Sequence, residues 1–83
     1  MPQFVTLHLD TGPGGIATLE MPGATTLEHA ALRFADHLGL DTDGFSFFLI
    51  DRQTHQPYAG EGLAGEYGDI IFDLGYEKRG ATG

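Results

Sequence analysis

Residues 23–40 read GATTLEHAALRFADHLGL, and this stretch decides the fold. Apolar side chains recur at Leu27, Ala30, Ala31, Phe34, Ala35 and Leu38, the i, i+3, i+4, i+7 spacing of one helical face. Thr25 can cap the N-terminus, and Glu28 three residues later completes a capping-box spacing. Gly39 follows the last periodic residue, where a left-handed turn is least costly, and Leu40 is placed to fold back onto the last turn. Glu28, His29, Arg33, Asp36 and His37 occupy the opposite, polar face. No other stretch has this period. A helix with one apolar face must lie on something, so the flanking chain has to supply a sheet.

It does so with alternating runs. FVTLHLD at 4–10 places Val5, Leu7 and Leu9 on one face and Phe4, Thr6, His8 and Asp10 on the other. TGPGG at 11–15 is a turn, and IATLEM at 16–21 alternates again with Ala17, Leu19 and Met21 inward, which together predict a hairpin. After the helix, DTDG at 41–44 is a turn. FSFFLI at 45–50 puts Phe45, Phe47 and Leu49 on one face and Ser46, Phe48 and Ile50 on the other. Apolar residues on both faces predict an interior strand or a sticky surface. Tyr58 and Ala59 suggest a short edge strand, and Leu63 and Tyr67 are expected to pin the glycine-rich crossing at 60–68 to the core. DIIFDL at 69–74 is the last strand, with Ile70, Phe72 and Leu74 inward and Ile71 and Asp73 outward. A polar tail, GYEKRGATG, follows from Gly75.

The length of 83 residues fits one domain, 1–75, followed by a tail at 76–83. A net charge of −8, with twelve acidic residues against Arg33, Arg52, Lys78 and Arg79, argues against nucleic acid and anionic membrane surfaces as partners. Without cysteine there is no disulfide, no thiolate nucleophile and no zinc–thiolate site, which fits a cytoplasmic protein. No apolar run reaches the ~20 residues of a membrane span, and the N-terminus lacks a signal-peptide pattern.

A hairpin, a crossover helix and then further strands place the next long strand parallel to a hairpin strand. The expected fold is α+β, a β-grasp: a mixed four- to five-stranded sheet with one helix across one face. At this point residues 3–76 resemble a ubiquitin-like domain. The likeness is carried by the order of elements, by ATTLEHAALRFADHLGL after a Pro-Gly strand end, and by PYAGEGLAGEYGDIIFDL near the end. That last segment is similar to the aromatic-x-Gly, Leu, Gly-Asp, apolar-strand ending of ubiquitin-like proteins. The flavour is close to the YukD-like family of bacterial type VII secretion loci. The fold alone does not set the function.

No catalytic constellation is visible. His29 and His37 sit two helical turns apart with Arg33 between them, a poor metal site. DTDG opens like a calcium loop, but the twelfth position, which needs a bidentate Glu, is Arg52. Gly60, Gly62 and Gly65 spell G-x-G-x-x-G without a preceding long strand or following helix, and Glu61 and Glu66 would repel a phosphate. They read as backbone freedom for a tight crossing. The one serine, Ser46, lies inside a strand, and neither cofactor nor metal is called for.

What remains is a surface and a tail. On the face away from the helix, Phe48, Ile50 and Ile71 would form an apolar patch with His8 and Phe4 beside it. The resemblance to ubiquitin implies a partner-binding role there. Truncating Phe48 or Ile71 to Ala is expected to abolish binding while moving the melting temperature by only a few degrees. Ubiquitin-like modifiers end in a flexible tail whose terminal glycine carboxylate is adenylated and passed to a target amine or thiol. The resemblance therefore assigns conjugation to Gly83, at the end of a nine-residue tail after Leu74 that reaches about 20–30 Å. The departure is the ending Ala81-Thr82-Gly83 instead of a glycine pair. The implied partners are activating, conjugating and deconjugating enzymes. The alternatives are an unconjugated module in a secretion or enzyme complex, and a sulfur carrier. Lys78 is the only lysine and falls in the expected tail, so in a modifier lysine-linked chains on the folded body would be excluded and only Lys78 or the N-terminal amine could accept a second copy.

Overall fold

The computed structural model describes residues 3–78. Its elements are β1 (Phe4–Asp10), β2 (Ile16–Pro22), α1 (Leu27–His37), β3 (Phe45–Asp51) and β4 (Ile71–Lys78), with 3-10 turns at Gly12–Gly14 and Ala64–Glu66. The sheet order is β2-β1-β4-β3, with β1 antiparallel to β2, β4 parallel to β1, and β3 antiparallel to β4. The fold is α+β, one helix on a mixed four-stranded sheet. The expected fifth strand reduces to a single bridge between Ile50 and Pro57.

The hairpin closes as its turn chemistry dictates. Thr11 N–H donates to the Gly15 carbonyl at 2.8 Å, and Gly12 and Gly15 have φ of +76° and +91°, which only glycine adopts without strain. That register sets Asp10 opposite Ile16 and Val5 opposite Met21, so the inward set falls on one face.

The helix begins one residue later than the capping-box spacing predicts. Thr26, not Thr25, is the N-cap, with Oγ1 accepting from His29 N–H at 3.3 Å. Glu28 is then in the second helical position and cannot close the box. The reason is tertiary: the Thr25 carbonyl accepts from Ala64 N–H at 2.8 Å, which holds that residue outside the helix. The C-terminus ends as its glycine predicts. Gly39 has φ of +75°, Gly39 N–H reaches the Asp36 carbonyl at 3.0 Å, and Leu40 N–H reaches the Ala35 carbonyl at 2.9 Å.

Leu27, Ala30, Ala31, Phe34 and Ala35 of the stripe are buried against Leu7, Leu9, Met21, Phe47, Leu49 and Phe72. Each large side chain so buried contributes roughly 1.5–3 kcal/mol of transfer free energy. Leu38, the last residue of the stripe, stays 40% exposed at the rim of the sheet. The pin of the late crossing is Ala64, fully buried, whereas Leu63 is 42% exposed. Backbone geometry decides this. Leu63 bridges Thr26, and Gly65 packs so closely on Gly23 that a Cβ at residue 65 would lie 3.2 Å from the Gly23 carbonyl oxygen. Tyr67 does pack inward, 5.2 Å centroid to centroid from Tyr58 and 6.1 Å from Phe72.

β4 starts two residues later than the alternation predicts and continues four residues beyond Leu74. Its ladder with β3 runs from Asp51 opposite Phe72 to Phe45 opposite Lys78. Tyr76 belongs to this strand and meets Phe45 edge-on at 5.7 Å. No helix among the described residues is long and apolar enough to cross a membrane.

Candidate interaction surface on the outer sheet face

The face turned away from α1 carries the side chains named for partner binding. Strand parity puts Phe4, Thr6, His8 and Asp10 of β1, Ile71, Asp73 and Gly75 of β4, and Ser46, Phe48 and Ile50 of β3 on it. The register then sets neighbours. His8 stands beside Ile71, Ile50 opposite Asp73, and Phe48 opposite Gly75.

Phe48 and Ile50 come together over Gly75. A Cβ at residue 75 would lie 2.6 Å from Ile50 Cδ1 and would overlap Phe48 Cε2. The ring therefore roofs the backbone of a buried glycine and is itself half-buried. Ile71 and His8 form a second group, with Ile71 36% exposed. Phe4 is set apart. It is 60% exposed, four residues along β1 from His8, which is about 13 Å at strand rise.

A polar bar separates the two apolar groups. Arg52, the residue after β3, reaches Asp10 of β1 at 3.0 Å and Asp73 of β4 at 3.9 Å. It ties three neighbouring strands together on this face. The sequence reading assigned Arg52 no part in this face. The signal was its parity with Phe48 and Ile50, which could be used only once Asp10 and Asp73 were known to be neighbours.

Behind Arg52 the chain turns tightly. Asp51 accepts from Gln53 N–H at 2.8 Å and Thr54 N–H at 3.4 Å. These donors, Gln53 foremost, hold its carboxyl below its ordinary 3.8, with the Tyr58 hydroxyl adding to the effect. Desolvation first, and the Asp51 charge second, push the Tyr58 hydroxyl above 10.0. The DTDG carboxylate is similarly committed to the backbone, since Asp41 Oδ1 accepts from Asp43 and Gly44 N–H at 3.0 and 3.1 Å. Among the described residues no three His, Asp or Glu side chains converge as a metal site would require. Gly83, the residue assigned to conjugation, lies outside the described residues.

The geometry thus offers two small apolar groups, each beside a charge, on the sheet face turned away from the helix. That arrangement suits contact with another protein. A comparison with protein-family models gives no match to this sequence, and a comparison with curated proteins gives none either.

Proposed function

We propose that this chain is a ubiquitin-like protein of the β-grasp architecture. It acts without chemistry of its own, recognised through Phe48, Ile50, Ile71 and His8 on the outer sheet face and joined to target proteins through Gly83. The observation that carries the reading is the topology: a hairpin, a crossover helix, and a last strand returning parallel to β1 between β1 and β3. It supports a rigid body with one covered sheet face and one open one. Phe4, remote from the other four, has at most a peripheral part.

In a modifier, activation joins the Gly83 carboxylate to the α-phosphate of ATP with release of pyrophosphate. A thiol displaces AMP, and a target amine displaces the thiol to leave an amide. Glycine suits each displacement, because no Cβ shields the carbonyl carbon. The activating and conjugating enzymes bring the catalytic groups, and the setting is cytoplasmic.

The ending Ala81-Thr82-Gly83, without a glycine pair, favours a second reading: a binding module in a secretion or enzyme complex, never conjugated. One experiment separates the two. The chain is expressed in its own host with an N-terminal tag, beside a copy lacking Gly83, and both lysates are probed for the tag on a denaturing gel. Higher-mass bands that need Gly83 support the modifier. A single unconjugated band in both lanes rejects it and leaves the module. A sulfur carrier would instead show an intact mass higher by one sulfur-for-oxygen exchange.

A further inference from the structure

Among the described residues β3 is an edge strand, with β4 as its one neighbouring strand. Its last residues reveal which backbone groups face the free side. Tyr58 N–H donates to the Leu49 carbonyl at 2.9 Å, and Asp51 N–H donates to the Gln56 carbonyl at 2.9 Å. In an antiparallel strand the N–H and C=O of alternate residues point the same way. Those of Phe45 and Phe47 therefore also face away from β4, and among the described residues no backbone group bonds them.

The chain thus extends its own sheet along residues 49–51 and then departs. Gly60 leaves for the helix N-terminus, where its carbonyl accepts from Glu28 N–H at 3.1 Å. Where it departs, a groove of about 400 Å³ opens between Phe47–Leu49 and the Glu28, Gly60 and Glu61 side. Among the described residues, Glu28 and Glu61 are the ionised side chains lining it, and no cation does. Sheet edges are commonly blunted by Pro, Lys or a bulge. The β2 edge carries Pro22, whereas Phe45–Phe48 carries none of these.

We propose that the Phe45–Phe48 edge takes an extended segment of a partner protein bearing lysine or arginine, docked as an added strand. Unpaired donors and acceptors spaced along a strand are matched by another extended backbone. The two carboxylates, on a chain of net charge −8, select a basic one. A second copy of this chain would bring the same carboxylates to the edge and be repelled. The edge meets the outer face at Phe48, which also lines the groove, whereas Ile71 and His8 lie away from it, so an Ile71 variant separates this proposal from the reading above.

The test uses the full chain labelled with 15N and a synthetic Lys-Val-Lys-Val-Lys peptide, with Glu-Val-Glu-Val-Glu as the control. The expected result is that the amides of Phe45 and Phe47 shift and exchange more slowly with the basic peptide only. The doubly substituted Glu28→Gln, Glu61→Gln protein should keep its melting temperature within a few degrees and bind about fivefold or more weakly. Ile71→Ala should leave binding unchanged. No shift at millimolar peptide, equal response to both peptides, shifts confined to β2 or to His8 and Ile71, or edge pairing between copies seen by sedimentation would each overturn the proposal.

Discussion

Gly75→Ala tests the architecture of the outer face most directly. The added methyl would stand on that face, 2.6 Å from Ile50 Cδ1, 2.8 Å from Phe48 Cζ and in overlap with Phe48 Cε2. The tip of Ile50 can rotate away. The ring cannot move without lifting off the sheet, because it lies directly across the ladder from Gly75. Overpacking of this kind costs roughly 1–3 kcal/mol. Replacing a glycine inside a strand returns about 0.5–1 kcal/mol of chain entropy. Taking the middle of each range, the net expectation is a loss of about 1.2 kcal/mol. At roughly 4–8 °C per kcal/mol for a domain of this size, the melting temperature falls by about 5–10 °C.

The assay is thermal and urea unfolding followed by far-UV circular dichroism, on a cycle of four proteins: wild type, Gly75→Ala, Phe48→Ala and the double variant. With the ring gone, Gly75→Ala should be neutral or stabilising by about 0.5 kcal/mol, giving a coupling energy of about 1 kcal/mol or more between the two sites. A Gly75→Ala protein as stable as wild type, or additive behaviour in the cycle, would refute the placement of Phe48 over Gly75. The pattern of strand neighbours on this face would then have to be redrawn.

Other consequences are as readily checked. Thr26→Ala should lose about 1 kcal/mol of stability in urea unfolding while Thr25→Ala loses little, since only the Thr26 hydroxyl receives a helix N–H. Arg52→Gln should lose no more than about 1 kcal/mol, because its pairs with Asp10 and Asp73 are partly exposed, and the difference from wild type should shrink between 0.05 and 1 M salt. The folded-state pKa of Asp51 is depressed, so its contribution is complete above 3.8 and is lost as pH falls through the lowered value. Asp51→Asn, measured by melting temperature against pH, should therefore lower the neutral-range value and flatten the decline in that acid range, so that the two curves converge at low pH.

Local chemistry made much of this legible in advance. The helical stripe, the Gly39 ending and the inward sets of all four long strands follow from periods of 3.6 and 2 and from glycine at a left-handed position. What escaped the sequence depended on contacts between distant segments. Thr25 and Thr26 are equally good caps by composition, and the bond from Ala64 to the Thr25 carbonyl decides between them. Leu63 is larger and more apolar than Ala64, yet the close approach of Gly65 to Gly23 buries the alanine and leaves the leucine outside. β4 runs past the polar signal at Tyr76–Lys78 because β3 offers partners as far as Phe45. The outer-face residues were identifiable by parity alone. Their division by Arg52 was not, since parity assigns a face and says nothing of which residues become neighbours along it.

That division changes how the outer face should be probed. The sequence treats Phe48 and Ile71 as equivalent surface residues whose loss leaves the fold intact. In the structure they differ. Phe48 covers the Gly75 backbone, so Phe48→Ala exposes a strand interior as well as removing a contact, and a loss of binding in that variant mixes recognition with stability. Ile71 roofs no glycine, and its neighbour Arg52 is held by Asp10 and Asp73. Ile71→Ala should therefore leave the melting temperature within a few degrees, and any binding it removes can be assigned to the surface itself. Were it instead to destabilise the protein as much as Phe48→Ala, Ile71 would belong to the packing of the sheet. The recognition surface would then contract to the Phe48–Ile50 side of the charged bar.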